Sequence, residues 1–135
     1  MHRTLAAALA LAAPAIVTAV AVAKPVNFTA QARMTSQHRS GNTVTFTEKL
    51  SRGQRAIGTD KVVCVAAGGP VFNCHGVYTF TTPHGTIKAA GRDDQSKTIN
   101  AIKITGGTGA FKRARGSIEV RVNGATSSLQ SFRFR

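Results

Sequence analysis

Few residues in this chain have the type and spacing to do chemistry, and Glu48 is the first of them. It falls in a run where Val44, Phe46, Glu48 and Leu50 alternate with Thr43, Thr45, Thr47 and Lys49. On a strand, that phase sets a carboxylate on the apolar face. If the face lines an interior, burial raises the pKa and suits the group to proton transfer. At a strand end, Glu48 would instead reach the rim and pair with a Lys or Arg. Tyr78 and Asn100 share the apolar parity of their own segments. They are either donors into a cavity or hydrogen-bonded core polars.

Cys64 and Cys74 enclose nine residues, with Gly68-Gly69-Pro70 at the centre. A hairpin about Gly69 sets the two cysteines opposite each other, with Cβ atoms about 4.5–5.5 Å apart, near bridging range. A metal site would need more ligands: His75 is adjacent, but His38 and His84 stand alone. No metal or other cofactor is expected. Gly106-Gly107-Thr108-Gly109 invites a phosphate-loop reading. That loop needs Gly-Lys-Ser/Thr opening a helix, whereas here Phe111-Lys112-Arg113-Ala114-Arg115-Gly116 leads into another apolar alternation. The four residues read as a tight turn needing positive φ. No Ser/His/Asp order or legibly spaced carboxylate pair stands out, and Asp93-Asp94 reads as a solvated loop.

The elements that must hold these residues have period two. Val26 to Met34, Thr43 to Leu50, Val62 to Ala67, Phe72 to Phe80, Thr86 to Gly91, Thr98 to Thr105, Ile118 to Val122 and Phe132 to Phe134 read as eight strands. Gly-, Asn-, Asp- and Pro-rich breaks separate them. Short loops imply antiparallel neighbours. Eight such strands expose two edges unless the sheet closes, so an all-β, eight-stranded antiparallel barrel is expected, either filled or holding one small ligand. A β-sandwich is the alternative.

Met1-His2-Arg3, the apolar run Leu5 to Val22 and Ala21-Val22-Ala23 form the three parts of a secretory signal peptide. Residues 1–23 are expected to be removed, leaving 24–135 as one secreted domain. The 135 residues carry 18 Lys and Arg against 5 Asp and Glu, a net +13. That length excludes a two-domain enzyme, and the pattern excludes coiled coils. An exported, even cysteine count favours the disulfide. The charge favours contact with polyanions, which outside a cell are anionic cell-envelope polymers, anionic lipid surfaces or released nucleic acid. Phe132 and Phe134 lie on the opposite parity from Arg133 and Arg135, so the aromatics read as core rather than as a base-stacking platform. No specific nucleic-acid binding is expected.

Ala101 to Gly116, containing Ile104-Thr105-Gly106-Gly107-Thr108-Gly109-Ala110-Phe111, resembles the signature shared by plant allene oxide cyclases and dirigent proteins. There a strand runs into Gly-Gly-Thr/Ser-Gly, an aromatic and Ala-x-Gly. Phe46-Thr47-Glu48-Lys49-Leu50, Ile57-Gly58 before Cys64, Tyr78-Thr79-Phe80, Gly85-Thr86-Ile87 and Gly91 match in order, so the likeness covers roughly residues 41–122. The resemblance implies an eight-stranded barrel with an apolar cavity, trimeric in plant members. It also implies a small apolar or phenolic ligand whose cyclisation or coupling is directed by shape. Phe46, Glu48, Tyr78, Phe80 and Asn100 become the candidate cavity residues, and no catalytic residue is assigned. Three departures argue against allene oxide cyclase activity itself. The first strand lacks the cyclase glutamate, with Gln31 the nearest substitute, and Glu48 stands where the cyclase has Asn. Cys64 matches a cavity cysteine, which a bridge to Cys74 would occupy. The other reading is a non-catalytic basic envelope protein. A hollow interior favours the first, and one filled by Phe28, Phe46, Phe72, Phe80 and Phe132 favours the second.

Overall fold

The computed structural model describes residues 14–15 and 26–135. The expected leader and its cleavage point after Ala23 lie outside the described residues, apart from Pro14 and Ala15. Eight strands follow in order: β1 Val26–Ser40, β2 Thr43–Arg52, β3 Arg55–Ala66, β4 Val71–Thr81, β5 His84–Asp94, β6 Ile99–Gly109, β7 Gly116–Gly124 and β8 Ser127–Phe134. Each pairs antiparallel with the next, and β8 pairs with β1, so the sheet closes into a barrel and the sandwich alternative falls away. Closure leaves no edge strand for another chain to pair with.

The alternation works as expected because its apolar phase is the inner wall. Val44, Phe46, Glu48 and Leu50 of β2 pair with Cys64, Val62, Asp60 and Gly58 of β3. These in turn meet Cys74, Gly76, Tyr78 and Phe80 of β4. Cys64 and Cys74 are bonded to each other across that ladder.

Two features depart from the sequence reading. Gly106, Gly107, Thr108 and Gly109 are not a turn but the end of β6, paired with Lys88, Ile87, Thr86 and Gly85. Among the four, only Gly109 has a positive φ, at 59°. Gly107 is required for a different reason: a Cβ there would lie 2.4 Å from the Phe111 carbonyl oxygen and 2.5 Å from that of Thr86. The chain passes through a space too narrow for a side chain.

The interior is neither hollow nor full. Phe28 stacks on Phe132 with ring centroids 4.7 Å apart. Phe80 meets the edges or faces of Phe28, Phe111 and Phe132 at 5.0–5.7 Å. Leu50, Ile57, Ile87, Ile104, Ile118 and Phe134 complete this packed half. Edge-to-face pairing lets the rings fill a round cross-section without voids. Phe80 is therefore part of the core rather than of a cavity wall, correcting its placement among the candidate ligand contacts. Phe72 is half-buried near the opposite end and joins neither the packed cluster nor the cavity lining.

Candidate functional site

Above the aromatic plug the barrel opens into a cavity of about 330 Å³. Val44, Phe46, Val62, Ile102, Val120 and the Cys64–Cys74 bridge supply apolar walls. Glu48, Tyr78 and Gln130 lie deepest, and Gln37, Asp93, Gln95, Asn100 and Ser128 also contribute polar groups to the lining. A concave, mainly apolar space with a few convergent polar groups is the usual form of a small-molecule site. None of its lining residues is Lys, Arg or His, although the chain has 18 Lys and Arg. The alternation explains this, since every described Lys and Arg is exposed.

Glu48 is buried at 7% exposure, and its Oε1 accepts a hydrogen bond from Gln130 Nε2 at 3.0 Å. The two residues sit on β2 and β8, with β1 between them. Ala30 and Ala32 of β1 face inward there and are fully buried. Their small size leaves room for Gln130 to reach across.

Next to Glu48 lies Asp60, its direct partner on β3, only 3% exposed. Glu48 and Tyr78 flank Asp60 and line the cavity; Asp60 itself does not. Neither Asp60 oxygen has a hydrogen bond of good geometry, although the Gln130 amide and the Glu48 backbone N–H lie near enough to lower its pKa somewhat. With Asp60 protonated, its hydroxyl can donate to the Glu48 carboxylate and give the pair a hydrogen bond. Burial, and after it the Glu48 charge, push the Asp60 carboxyl up to about 8. Burial also raises Glu48, opposed by its hydrogen bonds to Asp60 and Gln130. Tyr78 is pushed well above the usual phenol range, by burial first and then by the two carboxyls, and stays neutral. The row Glu48, Asp60, Tyr78 is thus a buried set of ionisable groups, all shifted toward their neutral forms, in which Asp60 favours keeping its proton.

Asn100 also lines the cavity, but its amide is engaged. Nδ2 donates to Asp93 Oδ1 at 2.8 Å and to the Asp94 carbonyl at 3.2 Å, and Oδ1 accepts from the Asp94 N–H at 3.0 Å. Its role is to hold the end of β5 where β5–β6 pairing has stopped. Asp93, which the sequence suggested was a solvated loop residue, is on β5 and turns into the cavity. Partial burial raises its carboxyl, offset by a hydrogen bond to Gln95. Of the five candidates, Phe46, Glu48, Tyr78 and Asn100 come together at the cavity, and Phe80 does not.

The dirigent-like protein family model matches residues 1–133. The chain belongs to that family. Dirigent-like folds of known structure confirm the architecture. A protein described as a pyocyanin demethylase superposes with a TM-score of 0.67 at 20% identity, covering 80% of this chain and 99% of that one. A pterocarpan synthase dirigent protein superposes with a TM-score of 0.67 at 14% identity, covering 82% and 86%. At these identities the likeness is one of fold. No curated protein matches the chain in a sequence comparison. In this dirigent-like barrel the residues that sequence reasoning missed are Asp60, Asp93 and Gln130. The signal for Asp60 was its parity with Val62 and Cys64. The outward Val63 and Val65 are also apolar and mask that parity.

Proposed function

We propose that this chain is an exported dirigent-like barrel that binds a small apolar or phenolic molecule in its open half and directs that molecule's cyclisation or coupling. One observation carries the reading: Glu48, backed by the buried Asp60 behind the cavity lining, sits at the inner end of an apolar cavity open at one end only. The apolar walls favour a planar or alicyclic ligand of modest size. Glu48, presented to the cavity and steadied by Gln130, gives the shared proton to an oxygen or carbon of the bound molecule. It takes a proton back from the group that loses one on ring closure. The exchange is redox-neutral for ring closure, whereas coupling of two phenols takes its radicals from an oxidant outside the barrel; in both the confined shape selects which bond forms. The family supports a small phenolic ligand at this coarse level.

Native mass spectrometry of the protein isolated from its own source tests the proposal. Co-purified molecules of a few hundred daltons, lost from the Glu48→Gln variant, are expected. A ligand-free protein that also fails to bind a panel of planar phenols by calorimetry would overturn it.

A further inference from the structure

The strands place the ends of the barrel in very different electrostatic settings. The packed end is formed by the β2–β3, β4–β5 and β6–β7 turns, together with the end of β8 and the start of β1. It displays Arg52, Arg55, Lys112, Arg113, Arg115 and Arg135, all exposed. No Asp or Glu side chain lies there. Glu48 and Asp60 are inside, Asp93 and Asp94 are at the mouth end, and Glu119 is on the β7 wall. Among the described residues only Lys97 and Arg121 pair with a carboxylate. The cap is therefore unneutralised.

We propose that this closed end docks on anionic phospholipid headgroups and holds the cavity mouth away from the membrane. Three features favour a planar phosphate surface. The cations sit on turns around one barrel end, which presents a platform rather than a groove. Five of the six are Arg, whose guanidinium forks match phosphate oxygens better than an ammonium does. Every described Phe and Tyr is buried or half-buried, so at this end only the His84 ring is exposed, too little for a platform on which successive nucleic-acid bases could stack. Electrostatic attraction to an anionic leaflet grows with each Lys or Arg brought near the surface and fades with salt.

The test is co-sedimentation of the secreted protein, its amino terminus established by sequencing, with vesicles. These are phosphatidylcholine alone or with about a third phosphatidylglycerol. Binding to the anionic vesicles only, released by high salt, is expected. The variant Arg52→Gln/Arg55→Gln/Lys112→Gln/Arg113→Gln should bind at least about tenfold more weakly. The variant Lys49→Gln/Lys61→Gln/Lys88→Gln/Lys103→Gln loses the same charge from the barrel wall and should stay within about threefold. Arg52→Lys/Arg55→Lys/Arg113→Lys should retain binding, which separates loss of charge from loss of fold. The chain has no Trp, so single Trp reporters give the orientation. Ala110→Trp should be quenched by brominated lipid and Asn42→Trp should not. Equal losses in the two Gln variants, quenching at Asn42→Trp instead, or binding to single-stranded DNA without vesicle binding would each overturn the proposal.

Discussion

Glu48 on β2 and Asp60 on β3 are direct cross-strand partners, and both carboxyls are buried inside the barrel. Two like charges placed there cannot both ionise without a cation to balance them. Cations are abundant in this protein, but the wall separates them from the pair. The arrangement therefore favours a protonated Asp60 beside Glu48.

Replacing Glu48 with Gln keeps the shape and removes a charge. Turnover should fall at least about a hundredfold, the lower end of the loss expected when a proton-transfer group is removed, with folding retained. The Asp60 carboxyl should titrate lower than in the parent, because the Glu48 charge no longer opposes its ionisation. It should remain above an ordinary Asp because burial is the larger cause. Carboxyl-detected NMR titration reads this directly. An unmoved Asp60 would show that the two groups do not share a proton.

The same pair sets a pH dependence of stability. Asp60 has a higher pKa folded, about 8, than its ordinary value of 3.8, so between those values the folded chain holds more protons than the unfolded one. Stability is then greatest at low pH and falls as pH rises toward about 8. Glu48 and Asp93, also raised, act in the same direction. Urea unfolding at pH 5 and pH 8.5 should show the more acidic sample to be more stable, and Asp60→Asn should flatten the difference. A parent protein that gains stability over that interval would contradict the proton-sharing pair.

The Cys64–Cys74 bridge closes a short loop. Replacing both residues with Ser should cost about 2–3 kcal/mol in urea unfolding, the loop-closure value for this length, without abolishing the fold. Titration of the unfolded, unreduced parent should find no free thiol.

Neighbouring glycines of the Gly-Gly-Thr-Gly run should respond differently to Ala. Gly107→Ala drives a methyl into two backbone carbonyls and should cost at least about 2 kcal/mol. At Gly106 the nearest group is the flexible Arg115 guanidinium, 3.5 Å away, so Ala should be nearly neutral. Equal sensitivity at the two positions would contradict the strand register at the end of β6.

The expected export has its own check. Amino-terminal sequencing of the extracellular protein should begin at Lys24, and an intact Met1 in a soluble cytoplasmic form would contradict it.

Much of this architecture was legible because alternation is a local signal. Phe132 and Phe134 against Arg133 and Arg135 report inside and outside without knowledge of any partner strand. Glu48 was visible for the same reason. Asp60 was not, because its significance depends on register: only the pairing of β2 with β3 brings it beside Glu48. Gln130 needed more still, since its reach depends on the alanines of an intervening strand. The Gly106–Gly109 run misled because glycine reports available space as readily as a turn. Asp93 was hidden by Asp94, whose carboxylate accepts from the Ser96 N–H and hydroxyl in a true turn.

The aromatic plug around Phe28, Phe80 and Phe132 has a consequence for how such a protein can change over time. Closing one end leaves a single doorway, framed by the turns at residues 41–42, 67–70, 95–98 and 125–126. Incoming and departing molecules must take turns, so a tightly held product inhibits its own replacement. Because those turns lie beyond the packed half, their sequences can drift, lengthen or be exchanged with little loss of folding. New ligand preferences can thus arise at the doorway while the foundation stays unaltered.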